Sequence, residues 1–197
     1  ENLGGHVGIG HTRWATHGAP SDVNSHPHMS NDNRIALVHN GTVENYVEIR
    51  EQLEKEGFTF KSDTDSEVAA VLFGKYYNEL GDLKATMDKV THEMTGTFAL
   101  AAIAEDQPEK FVAYRKNAPL IVGKGNGCNF VASDFSALLK YTKDVYLLET
   151  GDTVVLTPDN VTIYDESGKE IKRETMHISW DESVAEKGKY EHFMLKE

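Results

Sequence analysis

Apolar positions along this chain switch period twice, and the switches mark out its elements. Val7-Gly8-Ile9 opens an alternating run that predicts a strand from Val7 to Thr12. A polar stretch from Pro20 to Asn33, rich in Ser, Asn, Asp and His, predicts a long connection. Arg34-Ile35-Ala36-Leu37-Val38-His39 predicts the next strand, ended sharply by Asn40-Gly41. Spacing then turns helical from Glu44 to Glu56 (Val47, Ile49, Leu53), with Gly57 as the stop. Thr64-Asp65-Ser66-Glu67 matches a capping box, and Val68, Val71, Leu72 and Tyr76 form the apolar stripe of the helix behind it. Leu83, Met87 and Val90 mark a third helix over Asp82 to Met94.

From Thr97 the period returns to 2. Strands are predicted at Phe98 to Ala104, Phe111 to Tyr114, Leu120 to Val122 and Phe130 to Ala132, with a short helix near Phe135 to Leu139. Val145 to Leu148, Asp152 to Leu156 and Val161 to Tyr164 follow, joined by turns such as Thr150-Gly151 and Ser167-Gly168. Beyond Arg173 the chain is polar without a clear period and reads as a linker or a segment that docks elsewhere. Helices flanked by many strands predict an α+β layered fold.

Composition narrows the partners. With 197 residues, 39% of them hydrophobic, the chain can bury one sizeable core, so one domain is expected. Its net charge of −12, from 20 basic and 32 acidic residues, excludes nucleic acid and anionic membrane as expected partners, since phosphate binding needs clustered Lys and Arg. A single local arginine can still hold a small carboxylate. No apolar run approaches the roughly 18 residues of a membrane span, no signal peptide opens the chain, and Glu1 reads as an internal position. Cys128 is the only cysteine, so an internal disulfide is impossible and a reducing, cytoplasmic setting is expected.

The densest chemistry lies in Gly10-His11-Thr12-Arg13-Trp14-Ala15-Thr16-His17-Gly18. A guanidinium, an indole, two hydroxyls and two imidazoles between glycines suit a loop that grips a small polar ligand; a solvated turn rarely holds both Arg and Trp. Six of the nine histidines fall between His6 and His39, yet no carboxylate or cysteine sits at ligand spacing beside them, so no metal and no cofactor is expected. Asn40-Gly41 reads either as a hairpin turn or as an oxyanion hole, where an amide NH2 and an unhindered backbone N–H meet. Asp65 fits a first-turn carboxylate, favoured by the helix dipole at about 0.3–1 kcal/mol, and equally a partner for a substrate ammonium. Cys128 has no base or positive neighbour in sequence and reads as a small buried side chain rather than a nucleophile.

Together these residues resemble the glutaminase half of the glutamine–fructose-6-phosphate aminotransferase family, across nearly the whole chain. The resemblance rests on Gly8 to Gly18, His26-Pro27-His28, Val38-His39-Asn40-Gly41, Glu44-Asn45, Ser62-Asp63-Thr64-Asp65, Ala132-Ser133-Asp134, Lys187-Gly188 and Tyr190 to Glu197. It implies class II glutamine amidotransfer on an N-terminal-nucleophile hydrolase fold, a four-layer αββα sandwich with antiparallel sheets. The implied substrate is L-glutamine, hydrolysed through a thioester on an amino-terminal cysteine to glutamate and ammonia, which sugar-isomerase domains use to aminate fructose 6-phosphate to glucosamine 6-phosphate. By position, Arg13 would hold the α-carboxylate, Thr16 and His17 would add contacts there, and Trp14 would cover the closed site. Asp65 would hold the α-ammonium, and Asn40 and Gly41 would donate to the oxyanion.

The chain departs from the family pattern at its start, where the nucleophilic cysteine is absent; Cys128 does not match that position. The expectation is an N-terminally truncated amidotransferase domain over 1–180, the beginning of a linker to absent sugar-isomerase domains over 181–197, and no turnover by this polypeptide alone. Exposed ladder edges should then favour a homodimer or marginal stability. The alternative is a non-catalytic amino-acid-binding module that uses Arg13 and Asp65 to hold a zwitterion.

Overall fold

In the computed structural model, which describes residues 5–13 and 17–179, the first regular element is a two-residue strand, His28–Met29 (β1). Residues 5–13 form no strand, contrary to the expectation for Val7 to Thr12; the segment runs along a cavity wall rather than beside a ladder. Ile35–Val43 (β2) does not stop at Asn40-Gly41 but runs on to Val43. Gly41 makes that possible. Its φ is +110°, and a Cβ there would lie 2.1 Å from the Thr97 carbonyl oxygen, so only glycine can pass the neighbouring strand at this point.

Three helices follow: Tyr46–Lys55 (α1), Asp65–Leu80 (α2) and Leu83–Glu93 (α3). Thr64 caps α2, its side chain accepting from the Glu67 N–H as the capping box predicts. The Glu67 carboxylate, however, stays buried and accepts from the Lys61 and Ser62 N–H groups, tying down the entry loop instead of closing the box. The predicted stripe on α2 is too narrow. Every residue from Asp65 to Gly74 is buried, because the helix packs against α1, α3 and β2 at once.

The strands Gly96–Ala104 (β3), Phe111–Lys116 (β4), Ile121–Lys124 (β5) and Asn129–Ala132 (β6) lead to a 3₁₀ turn at Phe135–Ala137. Asp144–Leu147 (β7), Thr153–Leu156 (β8), Val161–Tyr164 (β9), Glu170–Ile171 (β10) and Met176–His177 (β11) complete the described chain. One antiparallel sheet has the order β1-β2-β3-β4-β8-β9-β10, the other β11-β7-β5-β6. Residues 174–179 of the tail after Arg173 are therefore part of the fold: β11 pairs with β7 and Ile178 is buried. Arg173 anchors the chain just before it, its Nε and Nη2 donating to the two Asp152 carboxylate oxygens at 2.8 and 2.9 Å.

Period-2 alternation assigns each strand residue to a layer. On β3, Phe98, Leu100, Ala102 and Ala104 face the helices, while Ala99 and Ala101 face the second sheet. Between the sheets lie Val38, Ala113, Leu120, Val122, Val154, Leu156 and Ile163; beyond the smaller sheet, Ile121 and Val145 meet Leu138 and Leu139 next to the 3₁₀ turn. Helical cover, sheet, sheet and outer cover make up the predicted α+β sandwich.

Candidate functional site

The N-terminus of α2 is packed against the stretch of β2 beyond its pairing with β1, where among the described residues no strand covers the outer edge, and most of the predicted site gathers there. Asp65 is 2% exposed. Its Oδ2 accepts from the Val43 N–H at 2.9 Å, while Oδ1 faces two imidazoles, 3.7 Å from His17 Nδ1 and 3.9 Å from His39 Nδ1. Ser66 Oγ, 2.8 Å from His39 Nδ1 and 3.4 Å from Asp65 Oδ1, links ring and carboxylate. One carboxylate oxygen is thus committed to the backbone. The other opens toward His17, whose side chain is 28% exposed and covers the approach.

Arg13 reaches the same place from the opposite end of His17. Its φ is +56°, and its guanidinium donates to the carbonyls of His17 at 2.8 Å, Ala19 at 3.1 Å and Gly18 at 3.2 Å. A guanidinium carries five N–H donors, so a carboxylate can be taken on without dismantling this loop. Trp14 and Thr16, predicted to cover and contact a ligand, lie outside the described residues.

Along β2, successive N–H groups alternate between the neighbouring strand and the outer edge. The His39 N–H donates outward to His26 Nδ1 at 3.4 Å, and the Val43 N–H outward to Asp65. Alternation puts the Gly41 N–H on that same edge, between those two. Beside it, Asn40 Oδ1 is 2.5 Å from His11 Nε2. The hairpin reading of Asn40-Gly41 is thereby replaced: both residues sit inside a ladder, opposite Ala99 and Phe98. Asn40 and His11 also border a cavity of about 750 Å³ between the sheets, lined further by Val38, Ala99, Ala101 and Leu156. Arg13, His17 and Asp65 do not line that cavity, so the site straddles the β2 edge.

The surrounding histidines form a connected group that composition did not resolve into contacts. His11 and His26 stack with ring centroids 4.2 Å apart, His26 meets His28 edge-on at 5.0 Å, and His28 Nε2 lies 3.1 Å from the capping Thr64 Oγ1. Burial, then the neighbouring His11, pushes the His26 pKa down to about 3. Burial lowers His39 to about 4 against the pull of Asp65, and lowers His28 as well. These three are neutral at pH 7. Among the described residues, no three His, Cys, Asp or Glu groups are arranged to hold a metal ion. Cys128 is exposed, not buried as expected, because it sits on the turn between β5 and β6; its Sγ makes only a long contact, 3.9 Å, to the Asn126 carbonyl.

Two stacked antiparallel sheets with helices on the outer face are the sandwich expected of a glutamine amidotransferase domain. Solved structures agree on the fold. Glutamine phosphoribosylpyrophosphate amidotransferase from B. subtilis superposes with a TM-score of 0.64 at 22% identity, over 81% of this chain and 35% of that one. A structure described as the allosteric regulatory enzyme of purine biosynthesis gives a TM-score of 0.60 at 22% identity, over 75% of this chain and 32% of that one. The glutamine amidotransferase domain family matches residues 2–171, and the chain belongs to that family. Among curated relatives, the glutamine–fructose-6-phosphate aminotransferases (isomerizing) of Fusobacterium nucleatum and Clostridium perfringens are 52% and 53% identical over 100% and 98% of the chain. That of Thermotoga maritima is 49% identical over 97% of it. The chain spans about a third of their length, between 31% and 34%.

Proposed function

We propose that this domain binds L-glutamine and supplies the polar half of a glutamine-hydrolysing site. In the full-length protein the products are glutamate and ammonia, and sugar-isomerase domains use the ammonia to convert fructose 6-phosphate to glucosamine 6-phosphate. The relatives' names support that chemistry, and the outer edge of β2 carries the local argument: the Gly41 N–H lies beside the Asn40 amide, flanked by groups that are already paired. Two neutral donors there suit an oxyanion, and loss of one such donor typically lowers turnover about 10²–10³-fold. Arg13 takes the α-carboxylate, with Thr16 and His17 adding contacts there, and Asp65 Oδ1 takes the α-ammonium; Trp14 is assigned to covering the closed site.

The 197-residue polypeptide alone binds without turning over. Its single cysteine, Cys128, has among the described residues no hydrogen-bonded imidazole or amine to generate a thiolate. In that form it behaves as the amino-acid-binding module of the alternative reading. We assign residues 1–180 to the domain and 181–197 to the start of the linker, and a homodimer to the assembly, since among the described residues β6 ends its sheet with a neighbour on one side only. We assign a reducing, cytoplasmic setting on the single cysteine, and no nucleic-acid or membrane partner on the acidic charge; among the described residues no helix is long and apolar enough to cross a membrane.

The deciding experiment is Arg13→Lys in the full-length protein. Loss of the planar fork should raise the glutamine KM at least about tenfold with a smaller change in kcat. An unchanged KM removes Arg13 from the site. Glutamate release from glutamine by the isolated chain would refute the binding-only assignment.

A further inference from the structure

We infer that His11 is a positioning residue: its imidazole, as the Nε2–H tautomer, aims the Asn40 amide and at the same time sets the backbone of Arg13. The inference rests on the glutamine-site reading above. His11 Nδ1 accepts from the Arg13 N–H at 2.8 Å, which requires that nitrogen to be unprotonated. The proton of the neutral ring is then on Nε2, and the group 2.5 Å away on Asn40 must be an acceptor, Oδ1. That fixes the flip of the amide. The Asn40 NH2 is turned away from His11, with both its protons available for a developing oxyanion.

One ring therefore connects the two ends of the proposed substrate, the carboxylate grip through Arg13 and the amide end through Asn40. Residues 11 and 40 are 29 positions apart, and nothing in the local sequence holds the asparagine in this orientation. The ring itself is held from one face by His26, stacked at 4.2 Å with its planes 28° apart. His26 is kept neutral by burial and accepts from the His39 N–H, so the stack is tied to the β2 edge without adding a cation beside the site.

The two contacts of His11 can be separated by substitution. In the full-length protein, His11→Ala should lower kcat for glutamine hydrolysis about 100-fold and raise KM about tenfold. Glutamine at this position can present an N–H near the Nε2 site but no acceptor at the Nδ1 site. His11→Gln should thus recover kcat to within about tenfold of wild type while KM stays raised. Asparagine offers the reverse, so His11→Asn should recover KM and leave kcat low. Adding His11→Ala to Asn40→Ala should lower kcat no further, because the histidine acts through the amide.

Equal defects in the Gln and Asn variants, or additive losses in the double variant, overturn the inference while wild-type turnover leaves the glutamine site standing. A wild-type protein that does not hydrolyse glutamine removes that site and the inference with it. An independent reading comes from nitrogen-15 NMR of the 197-residue chain at neutral pH, where the His11 ring should show the shifts of an imidazole protonated at Nε2 and bare at Nδ1. A neutral form protonated at Nδ1 overturns the inference whatever the kinetics.

Discussion

The two faces of the β2–β3 ladder are built by different rules. Toward the helices, Ile35, Leu37, Phe98 and Leu100 are at most 1% exposed and meet the fully buried Val68, Phe73 and Met87. Toward the second sheet the same strands carry Val38, Asn40, Ala99 and Ala101, and the space left over is a cavity of about 750 Å³. The first face is close-packed and leaves nowhere for a ligand. The second uses small side chains, so apolar stabilisation is given up where His11 and Asn40 need room. The contrast teaches that packing and chemistry are divided by strand parity within a single ladder.

That contrast can be broken by substitution. Phe98→Ala, on the packed face, should destabilise the chain by about 3–5 kcal/mol, read by urea unfolding, since the ring is fully buried and α2 and α3 cannot collapse into the gap. A loss below about 1 kcal/mol would mean that the helix face is loosely packed after all. Next in size is acid sensitivity. His39 carries a pKa of about 4, so it is neutral when folded, whereas an unfolded histidine takes up a proton near pH 6.5. The unfolded state then binds more protons, and stability is complete above pH 6.5 and falls as the pH drops toward 4. His39 alone contributes about 1.4 kcal/mol per pH unit across that window, and His26 and His28 act in the same direction. A melting temperature flat between pH 6.5 and 4.5 would contradict this. Smallest of all, Ala101→Val should change stability by less than about 1 kcal/mol, because the added methyl groups enter the cavity rather than a filled core.

Local rules made much of the fold readable. Thr64 and Glu67 announced α2 because a cap acts within one turn. The period-2 pattern in Phe98 to Ala104 located β3, and Val161 to Tyr164 matched β9 to the residue. Two-residue strands such as β1, β10 and β11 were missed, since two residues carry no period and pair only because a neighbouring strand presents a ladder. The Asn40-Gly41 dipeptide was open in sequence between turn and oxyanion site. Its place within β2 depends on Thr97 passing so close that no side chain fits.

Arg13, His17, Asp65, Asn40 and Gly41 entered the proposed site from residue type and resemblance, because a carboxylate, an ammonium and an oxyanion would each call for a particular donor or acceptor. Sequence by itself determined the helix caps, the strand periods, the acidic charge and this inventory of groups, all of which depend on neighbours within a few positions. Tertiary structure alone decided that His11 meets Asn40, and that the stretch of β2 beyond β1 meets the start of α2. Those contacts join segments brought together only when the sheets stack, and hydrogen bonds depend on angles and distances that no linear spacing encodes.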